Sequence, residues 1–377
     1  MDFFPEKKLG FGLMRLPLLN ADDPASVDLA TLSSMVDRFL ADGFTYFDTA
    51  WMYHNFQSEN FIRQALTERY PRESYTLTDK LHVDFLNSKE DRDAVFNEQR
   101  KKTGVAYFDY YLLHALTAAR YEKAESLDCF SWLAEKKAQG LIRHVGFSFH
   151  DTADVLDRIL TEHPEMEFVQ LQLNYLDWEN PHVQSRLCYE VACRHGKSVI
   201  VMEPVKGGVL ARLPQQAKHL LLAEETSLSL PSWAIRFAAS LENVMIVLSG
   251  MSSLAQMEDN LSYMKDFRPL TKAETALVHK VADIVRAGVA VPCTACSYCT
   301  TGCPQKINIP QCFSLYNDDL QDYDGDDRIP QAEGFARMLQ KFGDPADCIA
   351  CGQCEGICPQ HIRIIDELKK VVGHFEK

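Results

Sequence analysis

The 377-residue sequence has no apolar run near the roughly 18–20 residues that a membrane-spanning helix requires. Its N-terminus, MDFFPEKKLG, has no basic segment followed by an apolar one, so it resembles no secretion signal. Positive charge is also scarce, because 39 Lys and Arg stand against 53 Asp and Glu, a formal net charge of −14. Nucleic acid and anionic membranes carry the same sign and are therefore unfavourable partners. We expect a cytoplasmic protein that acts on a small molecule or a protein partner.

The twelve cysteines are distributed unevenly, because eight of them fall in two short stretches after residue 290. In a reducing cytosol, closely spaced thiols favour metal ligation over disulfides. The remaining four have no ligand-like spacing, and we interpret them as buried, small hydrophobic side chains. They are Cys129, Cys188, Cys193 and Cys312.

Short β-rich runs alternate with longer helical patterns from residue 8 to about residue 285, which is typical of parallel strands joined by crossover helices. Eight such runs match the number that closes a barrel, so we predict an α/β fold, a (β/α)8 TIM barrel. An open doubly wound sheet is the alternative. A complete G-x-G-x-x-G motif would favour it, and Gly10-Phe11-Gly12 is only a fragment of that motif. The predicted strands are 8–14, 44–49, 74–80, 109–114, 142–148, 168–174, 198–203 and 245–250.

The pattern changes after about residue 286 to cysteine clusters with Pro and Gly. One barrel plus an appendage accounts for the length of the chain. We therefore predict a barrel domain over 1–285 and a second, cysteine-rich domain over 286–377. Between the cysteine stretches, the acidic segment 316–328 lacks the residue order of a calcium-binding loop. We interpret it as a solvated loop.

Both cysteine stretches have the complete pattern C-x2-C-x2-C-x3-C-P. Three cysteines at successive spacings of three wrap one turn of backbone around three corners of a [4Fe–4S] cubane, and the fourth thiolate comes from elsewhere. Structural zinc is the alternative, but it typically uses two separated C-x2-C pairs, which a run of four fits poorly. The first run is Cys293, Cys296, Cys299 and Cys303, and the second is Cys348, Cys351, Cys354 and Cys358.

The duplicated run resembles the bacterial two-cluster ferredoxins, in which the fourth cysteine of each run ligates the other cluster. The resemblance implies a small, mainly helical ferredoxin-like domain with two [4Fe–4S] clusters. It places Cys358 with the first three cysteines of the first run, and Cys303 with the first three of the second. Ile307 and Ile362, which follow the two prolines, are expected to help bury the clusters.

Four polar side chains, Asp48, Tyr53, Lys80 and His114, lie at or just after the carboxyl ends of apolar runs, the face on which barrel enzymes build active sites. Each signal is weak alone, because the chain has 14 tyrosines and 12 histidines. Together, in their order and in the D-x4-Y spacing within 47–59, they resemble the catalytic tetrad of the aldo-keto reductases. The alternative is a degenerate barrel in which the four form a buried ion-pair network. The resemblance also includes 9–17, 78–80, 112–114, 146–148 and 169–174.

The resemblance implies an NAD(P)-dependent oxidoreductase that reduces a small-molecule carbonyl compound, an aldehyde, ketone or enone, by hydride transfer. Tyr53 would donate the proton, and the ammonium of Lys80 would lower the pKa of that phenol. Asp48 would pair with Lys80 and keep it protonated. His114 would donate a hydrogen bond to the carbonyl oxygen and orient it.

The same resemblance assigns residues to the nicotinamide end of the cofactor. Ser148 and Gln170 would hold the carboxamide, and Gly12 and Met14 would border the cofactor. Met202 stands where an aromatic side chain usually stacks on nicotinamide, and a methionine packs there less rigidly.

At the adenosine end, Asp259 and Asn260 would contact adenine. Gly250 and Gln256 stand where many family members place the cations that a 2′-phosphate prefers. The choice between NADPH and NADH therefore stays open.

A hydride carries two electrons, whereas each cluster passes one electron at a time. We therefore expect the clusters either to stabilise the structure or to pass electrons to a redox partner protein. Two other functions remain as alternatives: an electron-transfer protein that docks on a flavoprotein, and a cluster-based redox sensor. Substrate size is expected to depend on Trp51, on the loop 115–130 and on the segment after Met202.

Overall fold

The computed structural model describes residues 5–320 and 331–376. Eight parallel strands close into a barrel in chain order, which confirms the predicted (β/α)8 architecture and excludes the open sheet. The strands are β1 Leu9–Gly12, β2 Tyr46–Asp48, β3 Thr76–Leu81, β4 Phe108–Leu116, β5 Ile142–Phe149, β6 Phe168–Gln172, β7 Ser198–Met202 and β8 Val244–Ser249.

The helices within the described residues follow the strands in alternation and then continue without strands into the C-terminal region, which is helical as predicted. They are α1 Leu29–Ala41, α2 Ser58–Ile62, α3 Glu90–Thr103, α4 Ala118–Ser126, α5 Cys129–Ala138, α6 Ala153–Glu162, α7 Ser185–Arg194, α8 Gln215–Glu224, α9 Leu230–Ser240, α10 Leu254–Met264, α11 Lys272–Gly288, α12 Tyr298–Thr301, α13 Ile309–Leu320, α14 Gln331–Leu339, α15 Gln353–Ile357 and α16 Ile364–Phe375.

Local sequence explains where α1 begins and ends. The carboxylate of Asp28 accepts hydrogen bonds from the backbone N–H groups of Ala30 and Thr31 at 3.1 and 3.0 Å, which satisfies two free donors of the first turn. At the other end Gly43 takes a φ of 80°, the left-handed conformation that glycine adopts without steric cost. A capping carboxylate and a left-handed glycine thus bound α1 at its two ends.

Large side chains fill the interior of the barrel, as a closed parallel sheet requires. The close packing is visible at Gly146 of β5, which lies opposite Phe168 of β6. A Cβ atom at Gly146 would approach the backbone oxygen of Phe168 to 2.4 Å, so only glycine fits there. The interior cluster consists of Tyr46, Tyr110, Leu112, Phe168, Ile200, Met245, Ile246 and Leu248.

The chain divides into two compact units. The first comprises 1–174, 184–204 and 235–270 and contains the barrel strands, and the second comprises 175–183, 205–234 and 271–377. The predicted domain boundary at 285/286 stays a prediction. The second unit has its own core, formed by Val291, Cys299, Ile307, Ile309, Cys312, Phe313, Phe335, Met338, Ile362, Ile364, Leu368 and Val371.

Two interpretations of the sequence need correction. Residues 316–320, interpreted as loop, form the end of α13, and 321–328 lie outside the described residues. Cys193 is exposed on α7, because it faces away from the core, whereas the other three isolated cysteines are buried as expected. Within the described residues, no helix is long and apolar enough to cross a membrane.

Candidate active site and cysteine cavities

The carboxyl ends of β2 and β3 place Asp48 and Lys80 side by side. The two side chains are almost completely buried, and Lys80 Nζ donates to Asp48 Oδ1 at 2.5 Å and to the backbone oxygen of Thr49 at 2.6 Å. Parallel strands end at one edge of the sheet, which is why two residues 32 positions apart meet there. The result is a buried ammonium–carboxylate pair.

Tyr53 and His114 lie next to this pair. Lys80 Nζ is 5.2 Å from the centre of the Tyr53 ring. The rings of Tyr53 and His114 have centroids 5.9 Å apart and meet edge to face. The structure therefore brings all four predicted tetrad residues together at one end of the barrel.

Burial dominates the protonation of these groups. It raises the pKa of Asp48, although the Lys80 charge acts in the opposite direction. Burial, and then the charges of His82 and Lys80, lower the pKa of His114 well below its ordinary value, so the imidazole is neutral at neutral pH.

The expectation that the Tyr53 phenol has a lowered pKa is wrong. Burial first, and then the negative charge of Asp48, raise the pKa of Tyr53 well above its ordinary value of 10. The phenol therefore stays protonated over the whole neutral range, which is the state that a proton donor requires.

The turn that carries Tyr53 has a strained backbone, which hydrogen bonds to other segments of the chain stabilise. His54, Asn55 and Phe56 all have positive φ, of 51°, 52° and 64°. Such φ values are costly for side chains with a Cβ and persist only where surrounding contacts enforce them. His54 supplies two of these contacts through its ring nitrogens, to the backbone oxygens of Pro24 at 2.7 Å and Leu13 at 3.0 Å.

A second layer of charge lies behind Lys80, and the sequence analysis missed it. Asp79 Oδ1 accepts from the backbone N–H of Lys80 at 2.8 Å. Glu59 is fully buried, and its Oε2 lies 3.1 Å from Lys102 Nζ, which also donates to the backbone oxygen of Phe56 at 2.8 Å. Burial raises the pKa of Glu59 to about 7, and burial together with the charge of Glu59 raises the pKa of Asp79 well above its ordinary value.

An aromatic surface borders the tetrad and consists of Trp51, Phe56, His82 and Phe85. Neighbouring rings meet nearly edge to face, with centroids 5.9 Å apart for Trp51 and Phe56, 5.5 Å for Phe56 and Phe85, and 5.4 Å for His82 and Phe85. His82 in turn lies 5.2 Å from the ring of His114. Phe56 and Phe85 are 38% and 39% exposed, so the surface offers apolar area beside the four tetrad residues.

Ser148 and Gln170 are paired neighbours on β5 and β6, at the same end of the barrel. Ser148 Oγ accepts from the backbone N–H of Ala115 at 2.7 Å. Gln170 Nε2 donates to Met202 Sδ at 3.7 Å, while Gln170 Oε1 is buried and has no hydrogen-bond partner among the described residues. A buried amide oxygen without a partner is costly, and an N–H donor of a ligand would satisfy it.

The residues predicted for the rest of the cofactor occupy the ends of neighbouring elements. Gly12 ends β1, Met14 lies two residues further along the chain, and Gln256 and Asp259 lie on α10. Asn260, also on α10, is buried; it donates to Ser249 Oγ at 2.9 Å and accepts from Tyr263 at 2.5 Å. Its amide therefore already serves to hold α10 to the end of β8.

Arg15 is a cation that the sequence analysis overlooked in this region. A Cβ atom at Gly250 would lie 3.2 Å from Arg15 Cβ, so the arginine packs against the backbone after β8. Ser252 Oγ donates to the backbone oxygen of Arg15 at 2.9 Å. Its position three residues after the end of β1 is a signal that the sequence offered.

The eight clustered cysteines surround two separate cavities in the second unit. One cavity is lined by Cys293, Cys296, Cys299 and Cys358, and the other by Cys303, Cys348, Cys351 and Cys354. Ile362 lines the first cavity and Ile307 the second, and both are buried. Within the described residues, no three His, Cys, Asp or Glu side chains converge closely enough to hold a single metal ion. Four thiols around a shared cavity suit a multi-iron cubane.

The closed parallel barrel and the polar site at the carboxyl ends of its strands define a barrel enzyme. The chain belongs to the aldo/keto reductase family, whose family model matches residues 8–283. A 4Fe-4S dicluster domain matches residues 292–362. Both resemblances drawn from the sequence are confirmed, and the protein is an oxidoreductase with an iron–sulfur domain.

Several known proteins resemble a large part of this chain. An uncharacterized oxidoreductase of Schizosaccharomyces pombe is 27% identical over 270 residues, which cover 67% of this chain and 80% of that protein. The holo form of a Bacillus halodurans aldo-keto reductase is 24% identical, with a TM-score of 0.58, and covers 74% of this chain and 95% of its own. A Klebsiella pneumoniae aldo-keto reductase in complex with NADPH is 18% identical, with a TM-score of 0.57, and covers 74% and 93%. At these identities the solved structures show the shared fold.

Proposed function

We propose that the barrel reduces the carbonyl group of a small aldehyde, ketone or enone with NADH or NADPH, and that Tyr53 donates the proton. The observation that supports this most is the buried Lys80–Asp48 pair beside Tyr53 and His114. When bound, the nicotinamide supplies the hydride. The protein's own groups must then bind the carbonyl, orient it and protonate its oxygen.

Each tetrad residue has a separate task. The neutral His114 donates to the carbonyl oxygen, which orients it and stabilises its developing negative charge. The phenol of Tyr53, kept protonated by its raised pKa, transfers its proton to that oxygen. Lys80 lies 5.2 Å from the phenol ring and stabilises the phenolate that remains, while Asp48 holds the lysine in place. Solvent then restores the proton of Tyr53.

The nicotinamide carboxamide fits the groups at the ends of β5 and β6. Gln170 Oε1 would accept from the carboxamide N–H, which gives the buried oxygen its missing partner. Ser148 would complete the pair, and Met202 would pack against the nicotinamide ring. Arg15, together with backbone near Gly12 and Met14, would face the cofactor phosphates, and Gln256, Asp259 and Asn260 the adenosine.

The two cysteine cavities would each hold one [4Fe–4S] cluster. Cys293, Cys296, Cys299 and Cys358 would ligate one cluster, and Cys303, Cys348, Cys351 and Cys354 the other. Bound clusters exchange single electrons, which suits an electron link to a redox partner protein. The carbonyl reduction proposed for the barrel needs no electron from these clusters.

The test uses protein purified without oxygen. NADH or NADPH is added, and cofactor oxidation is followed with a panel of aldehydes, ketones and enones, together with bleaching of the clusters' visible absorbance. Oxidation that requires a carbonyl and disappears in Tyr53→Phe, with cluster absorbance retained, would support the proposal. Turnover retained in Tyr53→Phe would exclude the tetrad assignment. Bleaching by the cofactor without a carbonyl would favour the electron-carrier alternative.

A further inference from the structure

A buried polar chain lies beside one of the cysteine cavities, within the second unit. Lys206, four residues after the end of β7, donates from Nζ to both carboxylate oxygens of Asp177 at 2.6 Å and to Gln360 Oε1 at 3.0 Å. Lys206 and Asp177 are each 1% exposed, and Gln360 is 6% exposed. A buried ammonium is costly, and these three acceptor atoms of two residues compensate it.

This chain reaches the cavity of Cys293, Cys296, Cys299 and Cys358, here named the first cavity. Gln360, two residues after Cys358, lines the first cavity. An ammonium only donates hydrogen bonds, so Lys206 binds the oxygen of the Gln360 amide and holds that side chain against the cavity.

The backbone beside Lys206 is also fitted to the first cavity. Gly207 has a φ of 62°, and a Cβ atom there would lie 2.2 Å from the backbone oxygen of Thr294. Thr294 follows Cys293 and lines the same cavity. Only glycine allows this approach, so the position of Lys206 is set by close packing against the cysteine loop.

The two cavities differ in the buried charge bonded to their linings. The described residues that line them include no Lys, Arg, Asp or Glu. In the first cavity, however, Gln360 of the lining accepts a hydrogen bond from the buried ammonium of Lys206 at 3.0 Å. A buried cation therefore lies one hydrogen bond behind the lining of the first cavity.

We propose that Asp177, Lys206 and Gln360 are positioning residues that raise the reduction potential of the cluster in the first cavity above that of the cluster in the second. Reduction adds a negative charge to a cluster, and a cation held nearby in a poorly polarisable interior stabilises the reduced form. Asp177 offsets part of this effect, but Lys206, which contacts Gln360, is the charge that reaches the cavity. The first cluster thus takes up an electron before the second. This inference rests on the proposed cluster content and is independent of the carbonyl chemistry.

The experiment is a redox titration of the full-length, anaerobically purified protein, monitored by the electron paramagnetic resonance of the reduced clusters. The main variant is the double substitution Asp177→Leu with Lys206→Met, which removes both charges together and leaves neither buried alone. A second variant, Gln360→Leu, keeps the ion pair and removes the amide from the cavity. Lys369→Met, on an exposed lysine of α16, is the control.

In the double variant, the ratio of reduced to oxidised first cluster at a fixed potential is expected to fall at least tenfold, a shift of about 59 mV or more for one electron. Gln360→Leu is expected to shift the same cluster in the same direction by less. The second cluster and Lys369→Met are expected to keep wild-type potentials, and the iron content and visible absorbance are expected to stay unchanged.

Unchanged potentials in iron-loaded variants would overturn the proposal, and so would equal shifts of both clusters. If the double variant loses iron, the potentials of Gln360→Leu test the proposal instead. Unchanged potentials or equal shifts of both clusters in that variant would overturn it. Because no carbonyl turnover is measured, failure of the reductase activity does not affect the result. Wild-type protein that holds fewer than two clusters would instead refute the proposed cluster content.

Discussion

Lys80 Nζ lies 2.5 Å from Asp48 Oδ1, and neither side chain is more than 3% exposed. Removing one member of a buried ion pair leaves the other charge without compensation, which costs about 3–5 kcal/mol. We therefore expect Lys80→Met to lower the free energy of unfolding by about that amount, measured by denaturant titration. The double variant Lys80→Met with Asp48→Leu should recover part of the loss. Additive losses in the double variant would contradict a direct pair.

The buried Glu59 predicts a pH dependence of stability. Burial raises the pKa of Glu59 from 4.5 to about 7, so the folded chain keeps a proton that the unfolded chain has released. The stabilisation is complete below about pH 4.5 and is lost as the pH rises through about 7. Lys102 Nζ lies 3.1 Å from Glu59 Oε2, and its charge opposes the effect of burial on the pKa of Glu59.

Glu59→Gln removes that titration. Between pH 5 and pH 7, the free energy of unfolding of the variant is expected to fall less than that of the wild type, by on the order of 2 kcal/mol. Glu68→Gln, on an exposed carboxyl, serves as the control and should follow the wild type. Parallel curves for wild type and Glu59→Gln would show that Glu59 does not titrate in this range.

We expect Gln170 to contribute to binding of the nicotinamide cofactor and not to binding of the carbonyl compound. Gln170→Leu removes the buried amide oxygen that has no hydrogen-bond partner within the described part of the chain. We expect the KM for the nicotinamide cofactor to rise about tenfold, equivalent to about 1.4 kcal/mol. The KM for the carbonyl compound should change little. Gln139→Leu, at an exposed position, should leave both constants unchanged. A rise confined to the carbonyl KM would assign Gln170 to the substrate instead.

The aromatic surface beside the tetrad predicts a preference for apolar carbonyl compounds. Phe85→Ala should lower kcat/KM for an aromatic aldehyde about tenfold, because a large apolar contact in a binding site contributes about 1–3 kcal/mol. For a two-carbon aldehyde the change should be less than about twofold, because the smaller molecule reaches less of the surface. Leu187→Ala, an exposed apolar residue on α7, is the control. Equal losses for both aldehydes would argue against a specificity role.

The two cavities predict which cysteines share a cluster. Cys296→Ala with Cys358→Ala removes two ligands from one cavity, so iron content should fall from about eight to about four atoms per chain. Cys296→Ala with Cys303→Ala removes one ligand from each cavity and should leave little iron. Cys193→Ser, on an exposed and isolated cysteine, should keep all the iron. Identical iron contents in the two double variants, or zinc in place of iron, would contradict the assignment.

The sequence by itself determined the features that depend on local pattern. Strand and helix periodicity predicted the eight barrel strands, because parallel strands covered on both faces are apolar along their length. The repeated cysteine spacing predicted an iron–sulfur domain, because the chemistry of a cubane restricts which spacings can ligate it. The order of Asp48, Tyr53, Lys80 and His114 predicted a shared site, since each lies at or just after the carboxyl end of an apolar run.

Only the tertiary structure decided what depends on burial and on long-range packing. The pKa of Tyr53 is raised and not lowered, because desolvation outweighs nearby positive charge, and desolvation cannot be read from neighbours in the sequence. Arg15 meets Gly250 only because β1 and β8 close the barrel. Lys206 and Gln360 are 154 residues apart and form a hydrogen bond only in the folded second unit. Such contacts come from the packing of distant segments, which no local pattern encodes.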